Sequence, residues 1–241
     1  MDVNQIRSLC SRHSIYNYTI NDDDGSIDVE HSVDLSYAIT KMNKLPLKFN
    51  KVNGSFDCSN NNLETLEGSP KYVKNMFNCQ YNKLTNLHFA PKKSESFICN
   101  RNMITSLEGC PESVEKLFYC QENNLTTLKG GPESVGNEFS CWGNDLFSLE
   151  GCPKYVGTNF DCSFNEIINL KHTPNNLRSF TCSGNPIGSI FSQVDYDFID
   201  AFKRFKIIED GKVNLKRLKY IMSIFDKPIR IERIEEYYKI V

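Results

Sequence analysis

The 241-residue sequence has one tryptophan, four histidines and no apolar run approaching the roughly eighteen residues that a membrane-spanning helix needs. His13, His31, His88 and His172 are scattered without H-x-x-x-H spacing and no C-x-x-C pair occurs, so the common zinc frameworks are missing. No phosphate-binding G-x-x-x-x-G-K-[ST], nucleophile elbow G-x-S-x-G, zinc-protease H-E-x-x-H or EF-hand loop is present, and the glycines fall in turns such as LEG and LKGG. Nothing local sets a nucleophile beside a base. The first residues, MDVNQIRSLCSRHS, show no basic segment leading into an apolar run, so the expectation is a soluble, unexported cytoplasmic protein with reduced thiols and no metal or cofactor.

Charge of one sign is also lacking overall. The net charge of -2 and pI near 6.1 favour neither nucleic acid nor an anionic membrane as partner. The two ends differ, however. Residues 1–34 carry Asp2, Asp22, Asp23, Asp24, Asp28, Glu30 and Asp34 against Arg7 and Arg12, whereas residues 201–241 carry eleven Lys or Arg against six acids.

What the sequence has in abundance is cysteine in phase. Seven of the ten fall at 58, 79, 99, 120, 141, 162 and 182, in steps of 20 or 21 residues. Two residues before each stands Phe56, Phe77, Phe97, Phe118, Phe139, Phe160 or Phe180; three after stands Asn61, Asn82, Asn102, Asn123, Asn144, Asn165 or Asn185. Aliphatic residues follow at five and eight, proline at twelve in six copies, and usually valine at fifteen. The repeat reads F-x-C-x-x-N-x-L-x-x-L-x-x-x-P-x-x-V. In F-x-C the period is two, so Phe and Cys share one face of a short strand and fill a core. The Asn amide can satisfy backbone groups of its own and the adjacent coil. The proline fixes φ and removes a donor, which suits an extended return and argues against a helix there. One such coil cannot bury its apolar face, but seven stacked coils share one core. Cysteines stacked at about 4.8 Å with parallel side chains suit buried thiols better than disulfides. Cys110 and Cys152, in EGCP, belong to the return and to a different environment.

The pattern resembles the leucine-rich-repeat superfamily, with Phe and Cys in place of strand leucines, over residues 45–190. The short L-x-x-x-P-x-x-V spacing is similar to bacterial effector repeats, and the E-G-C/S-P-x-x-V variant to repeats of bacteriophage and bacterial proteins. The resemblance implies a leucine-rich-repeat solenoid, one β-strand plus an irregular or extended return per coil, and a non-enzymatic scaffold for another protein. It also implies a phage protein acting on a bacterial host protein. Effector repeats can precede a cysteine-dependent ubiquitin ligase, but no cysteine follows the array here.

A solenoid needs caps. Residues 1–44 predict an N-terminal α+β cap: a helix over 2–12 with Ile6 and Leu9 inward, then a hairpin across DDDG. Residues 191–241 predict a helical C-terminal cap, with Phe198, Ile199, Phe202 and Phe205 on one face. Asn214 would cap a second helix carrying Leu215, Leu218, Met222 and Phe225, and a third would carry Ile231, Ile234, Tyr238 and Val241. On the strands, the residue between Phe and Cys and the residue after Cys face the other, concave side. Tyr119, Trp142 and Ile98 cluster there in the central coils, with Gln80 and Gln121 nearby and Tyr81 and Phe164 at the border. The lone tryptophan sits where no repeat rule requires an apolar residue, so this patch is the candidate partner-binding surface. The competing reading is a nucleic-acid-associated factor using Lys216, Arg217 and Lys219; an enzyme with a site hidden in the caps ranks third.

Overall fold

In the computed structural model, which describes residues 1–174 and 177–241, the repeat becomes a solenoid of stacked coils. Its principal sheet has nine strands in chain order: Val33–Asp34, Phe56–Asp57, Met76–Asn78, Ser96–Ile98, Leu117–Tyr119, Glu138–Ser140, Asn159–Asp161, Ser179–Thr181 and Gln193–Val194. The first eight run parallel, with Phe56, Phe77, Phe97, Phe118, Phe139, Phe160 and Phe180 in direct register; the ninth closes antiparallel on the eighth. Strands of two or three residues cannot hold themselves together. The ladders do so.

The phenylalanine rings are fully or almost fully buried and form a column. From Phe56 to Phe139 they stack at 5.3–5.8 Å between centroids, and from Phe139 to Phe180 they turn edge to face. Both geometries suit aromatic quadrupoles. The seven ladder cysteines are all fully buried and unpaired. Several thiols also donate to a carbonyl of the next coil, as Cys58 Sγ does to Asn78 O at 3.4 Å and Cys120 Sγ to Ser140 O at 3.4 Å.

The asparagines tie each coil to the one before it. Asn123 Nδ2 donates to Cys99 O of the preceding coil at 3.1 Å, to Cys120 O of its own coil at 3.0 Å and to Gln121 O at 3.3 Å. Its Oδ1 accepts from Ile104 N of the preceding coil at 3.0 Å. The same pattern recurs from Asn61 to Asn185. No other short side chain offers both donors and an acceptor there.

The returns are extended, and some form short strands of their own. Ser113–Val114, Ser134–Val135 and Tyr155–Val156 make one parallel sheet, and Tyr72–Val73 joins Phe49–Val52 and the N-terminal hairpin in another. The two are interrupted where Ser94 replaces the repeat valine. In the turn after the second aliphatic residue, Gly68, Gly109, Gly130 and Gly151 all have positive φ. At Gly109 a Cβ would lie 2.6 Å from Leu87 O of the preceding coil, so both the conformation and the close approach require glycine. Phe89 holds the same position with φ of 68°, a conformation that costs an L-residue roughly 1–2 kcal/mol.

Helix α1 (Val3–Arg12) starts in a capping box formed by Asp2 and Gln5, and the hairpin Tyr18–Ile20 with Ile27–Val29 follows as the sequence predicts. Leu9 is half-buried rather than inward; Cys10 takes the inner position beside Ile6. The principal sheet begins inside the expected cap, at Val33. There Val33 and Leu35 stand in the Phe and Cys places, and Ile39 N donates to Asn61 Oδ1 at 3.0 Å. At the other end α2 (Tyr196–Arg204), α3 (Leu215–Ile224, capped by Asn214 Oδ1 accepting from Arg217 N at 3.0 Å) and the short α4 (Ile231–Glu235) form as the periodicity predicts. Three expectations fail in detail. Phe205 and Val241 are exposed, because each lies beyond the last packed turn, and the cap is not purely helical. Ile208–Glu209, Lys212–Val213 and Lys239–Ile240 form a small sheet beside the helices.

Candidate protein-binding face

One side of the nine-stranded sheet is the Phe/Cys core; the other carries the residue before each Phe, the residue between Phe and Cys, and the residue after Cys. Most of these are small and polar. Asp34, Asp57 and Asp161 each fold back to accept from the backbone N–H two residues on, at 2.8–2.9 Å, which ends the strand in a fixed turn. In the central coils the face becomes apolar.

Ile98 and Tyr119 are direct cross-strand partners, and Tyr119 is followed by Ser140 in the same row. Ile98 is only 7% exposed, so it adds little open surface to the patch. Tyr119 and Trp142 are half-buried, each keeping part of its ring in solvent. Burial, and after it the neighbouring Glu138 carboxylate, raise the Tyr119 phenol above its ordinary value. Gln121 lies one coil before Trp142, as Gln80 lies one coil before Asn100, and both glutamines are half-buried. The side-chain oxygens of Asn100 and Gln121 are buried without a hydrogen-bond partner among the described residues.

Tyr81 and Phe164 do not join this cluster. The residue two after each ladder cysteine adopts positive φ in every coil: Asn60, Tyr81, Arg101, Glu122, Gly143, Phe164 and Gly184. This turn directs both aromatics to a separate row at the edge of the sheet, where they are exposed and four coils apart, about 19 Å at strand spacing. Tyr81 is covered by Arg101, whose guanidinium sits 4.7 Å from the ring centroid and also pairs with Glu122. Phe164 leans on the next coil, where Gly184 leaves it room: a Cβ there would lie 2.7 Å from Phe164 Cδ1.

The sequence reading missed Met76 and Leu117. Both precede a ladder Phe, are half-buried and border the Ile98–Tyr119 row. The same alternation rule reaches them once it is run one residue backwards from Phe. In the C-terminal cap, Lys216, Arg217 and Lys219 are exposed on α3, but Arg217 is engaged locally with Glu209 and with the carbonyls of Phe205 and Lys206. Among the described residues no three His, Cys, Asp or Glu converge as a metal site, and no helix is long and apolar enough to cross a membrane.

Parallel strands on one side, extended returns on the other and a continuous asparagine ladder make a β-solenoid of short stacked coils, the fold that the leucine-rich-repeat resemblance implies. A solved structure to which the chain is similar is YopM, a leucine-rich effector protein from Yersinia pestis, at 21% identity and a TM-score of 0.43. That match covers 66% of this chain and 53% of YopM, so it spans about half the length of that protein. No protein-family model matches the sequence. No curated protein matches it either.

Proposed function

We propose that the chain is a non-enzymatic scaffold that binds another protein on the open, concave face of its principal sheet. Tyr119 and Trp142 are its anchors. The observation that carries this reading is the pair of half-buried aromatic rings in the apolar central coils of a face that is elsewhere small and polar. Large aromatics ringed by polar residues are the usual chemistry of an interface hot spot. The resemblance to phage and bacterial repeats supports a bacterial protein, met in the cytoplasm, as the partner class.

Recovery of the partner from bacterial extract, followed by titration with purified components, tests the proposal. Replacing Tyr119 and Trp142 together by Ala should leave the fold intact, since neither belongs to the Phe, Cys, Asn or Leu ladders. Affinity should fall by about 2 kcal/mol or more, roughly thirtyfold. Replacing Lys216, Arg217 and Lys219 together by Ala should leave affinity unchanged. The opposite pattern, with nuclease-sensitive recovery and a salt dependence that the triple variant flattens, would move the function to the C-terminal cap.

A further inference from the structure

An open cavity of about 810 Å³ lies on the return side of the first coils, away from the sheet face. It is of the size that holds small ligands, roughly 300–1,000 Å³. Its floor is apolar: Leu45, Leu47, Phe49 and Ala90 are buried core residues whose edges line it, and Pro46 adds to it. The rim carries Lys44, Lys48, Lys71 and Lys92 against one acid, Glu67. Glu67 pairs with Lys44 at 3.3 Å, and Lys48 pairs with Asp24, which lies outside the cavity, at 2.6 Å. The rim thus holds an excess of positive charge over an apolar bed.

One side chain stands out at this cavity. Phe89 stands where four other coils have a left-handed glycine and one has His172; its ring is 63% exposed and forms a wall of the cavity. The core gains nothing from a ring held in solvent, which leaves its face open to an apolar ligand.

We propose that this cavity binds a free single-chain amphiphile with an anionic head, of the fatty-acid class. The chain lies on the apolar floor against Phe89, and the carboxylate sits among the rim lysines. The site is separate from the sheet face and stands or falls independently of it.

Titration of the full chain with cis-parinaric acid, a fluorescent fatty acid, tests this directly. Saturable one-to-one binding is expected, displaced by dodecanoate at least fivefold more effectively than by dodecanol. Phe89→Gly, which restores the residue the backbone prefers, should keep or raise the melting temperature while weakening the probe at least fivefold. The triple variant Lys44→Gln, Lys71→Gln and Lys92→Gln should abolish the preference for acid over alcohol. Absence of saturable binding, binding unchanged in both variants, or flotation with phosphatidylglycerol vesicles without uptake of the free acid would each overturn the proposal.

Discussion

At the scale of single residues, the asparagine is the most constrained position of the coil. Asn123 makes three donated and one accepted hydrogen bond, all to backbone groups and three of the four fully buried. Asn123→Ala should therefore cost about 1–3 kcal/mol in a denaturant melt, the usual penalty for stranding buried polar groups. Lys129→Ala removes only an ion pair with Glu150 in which both side chains are more than half exposed. It should stay within about 0.5 kcal/mol. Equal losses would mean that the amide ladder is not what couples the coils. The asparagine's role was legible in the sequence, because a buried polar residue that never varies across seven copies has to be satisfied by something that also repeats. The displacement of Tyr81 and Phe164 was not legible, since it follows from the positive φ of a position occupied here by Asn, Tyr, Arg, Glu, Gly and Phe. No composition signal marks a turn that so many residue types adopt.

At the scale of elements, a stack of coils ends in open core, and the C-terminal cap closes it. Phe198, Ile199 and Phe202 of α2 are buried at the end of the array, Phe191 packs edge to face on Phe198 at 4.9 Å, and Tyr238 Oη donates to Ile168 O at 2.8 Å. Truncation after Ile190 removes all of these and also the antiparallel strand that pairs with Ser179–Thr181. The shortened chain should lose its monodisperse peak in size-exclusion chromatography, because unpaired strand edges and exposed apolar surface associate. A stable, monodisperse product would show that the array caps itself. The three helices here were legible from 3.6-residue spacing and from Asn214. The small sheet beside them was not, because strands of two residues carry no period. The first strand of the principal sheet, at Val33, escaped for a related reason. It lacks the Phe, Cys and Asn landmarks, and Ile39 follows Leu35 by four residues where the repeat has five.

For the whole molecule, the cysteine column makes stability depend steeply on alkali. Burial raises all seven ladder thiols above their ordinary range, and the return-side Cys110 and Cys152 are pushed up to about 12. The folded chain keeps these protons where the unfolded chain releases them, so the unfolded state binds fewer protons and stability falls as pH rises. The contribution is complete below the unfolded thiol value of about 8.5, and above it each buried thiol removes about 1.4 kcal/mol per pH unit. Urea melts at pH 8, 9 and 10 should show this slope, made shallower by one thiol's share in Cys120→Ala; melts that do not change with pH would place the thiols in solvent. The direction of the asparagine bonds carries a different consequence. Every ladder amide reaches back to the coil before it and none reaches forward, so a coil is finished only when the next one has been made. At a translation rate of roughly 5–20 residues per second the ribosome delivers that closing coil within about 1–4 seconds. A nascent chain would then expose a single incomplete coil at a time, always the youngest, while everything older is already sealed behind it.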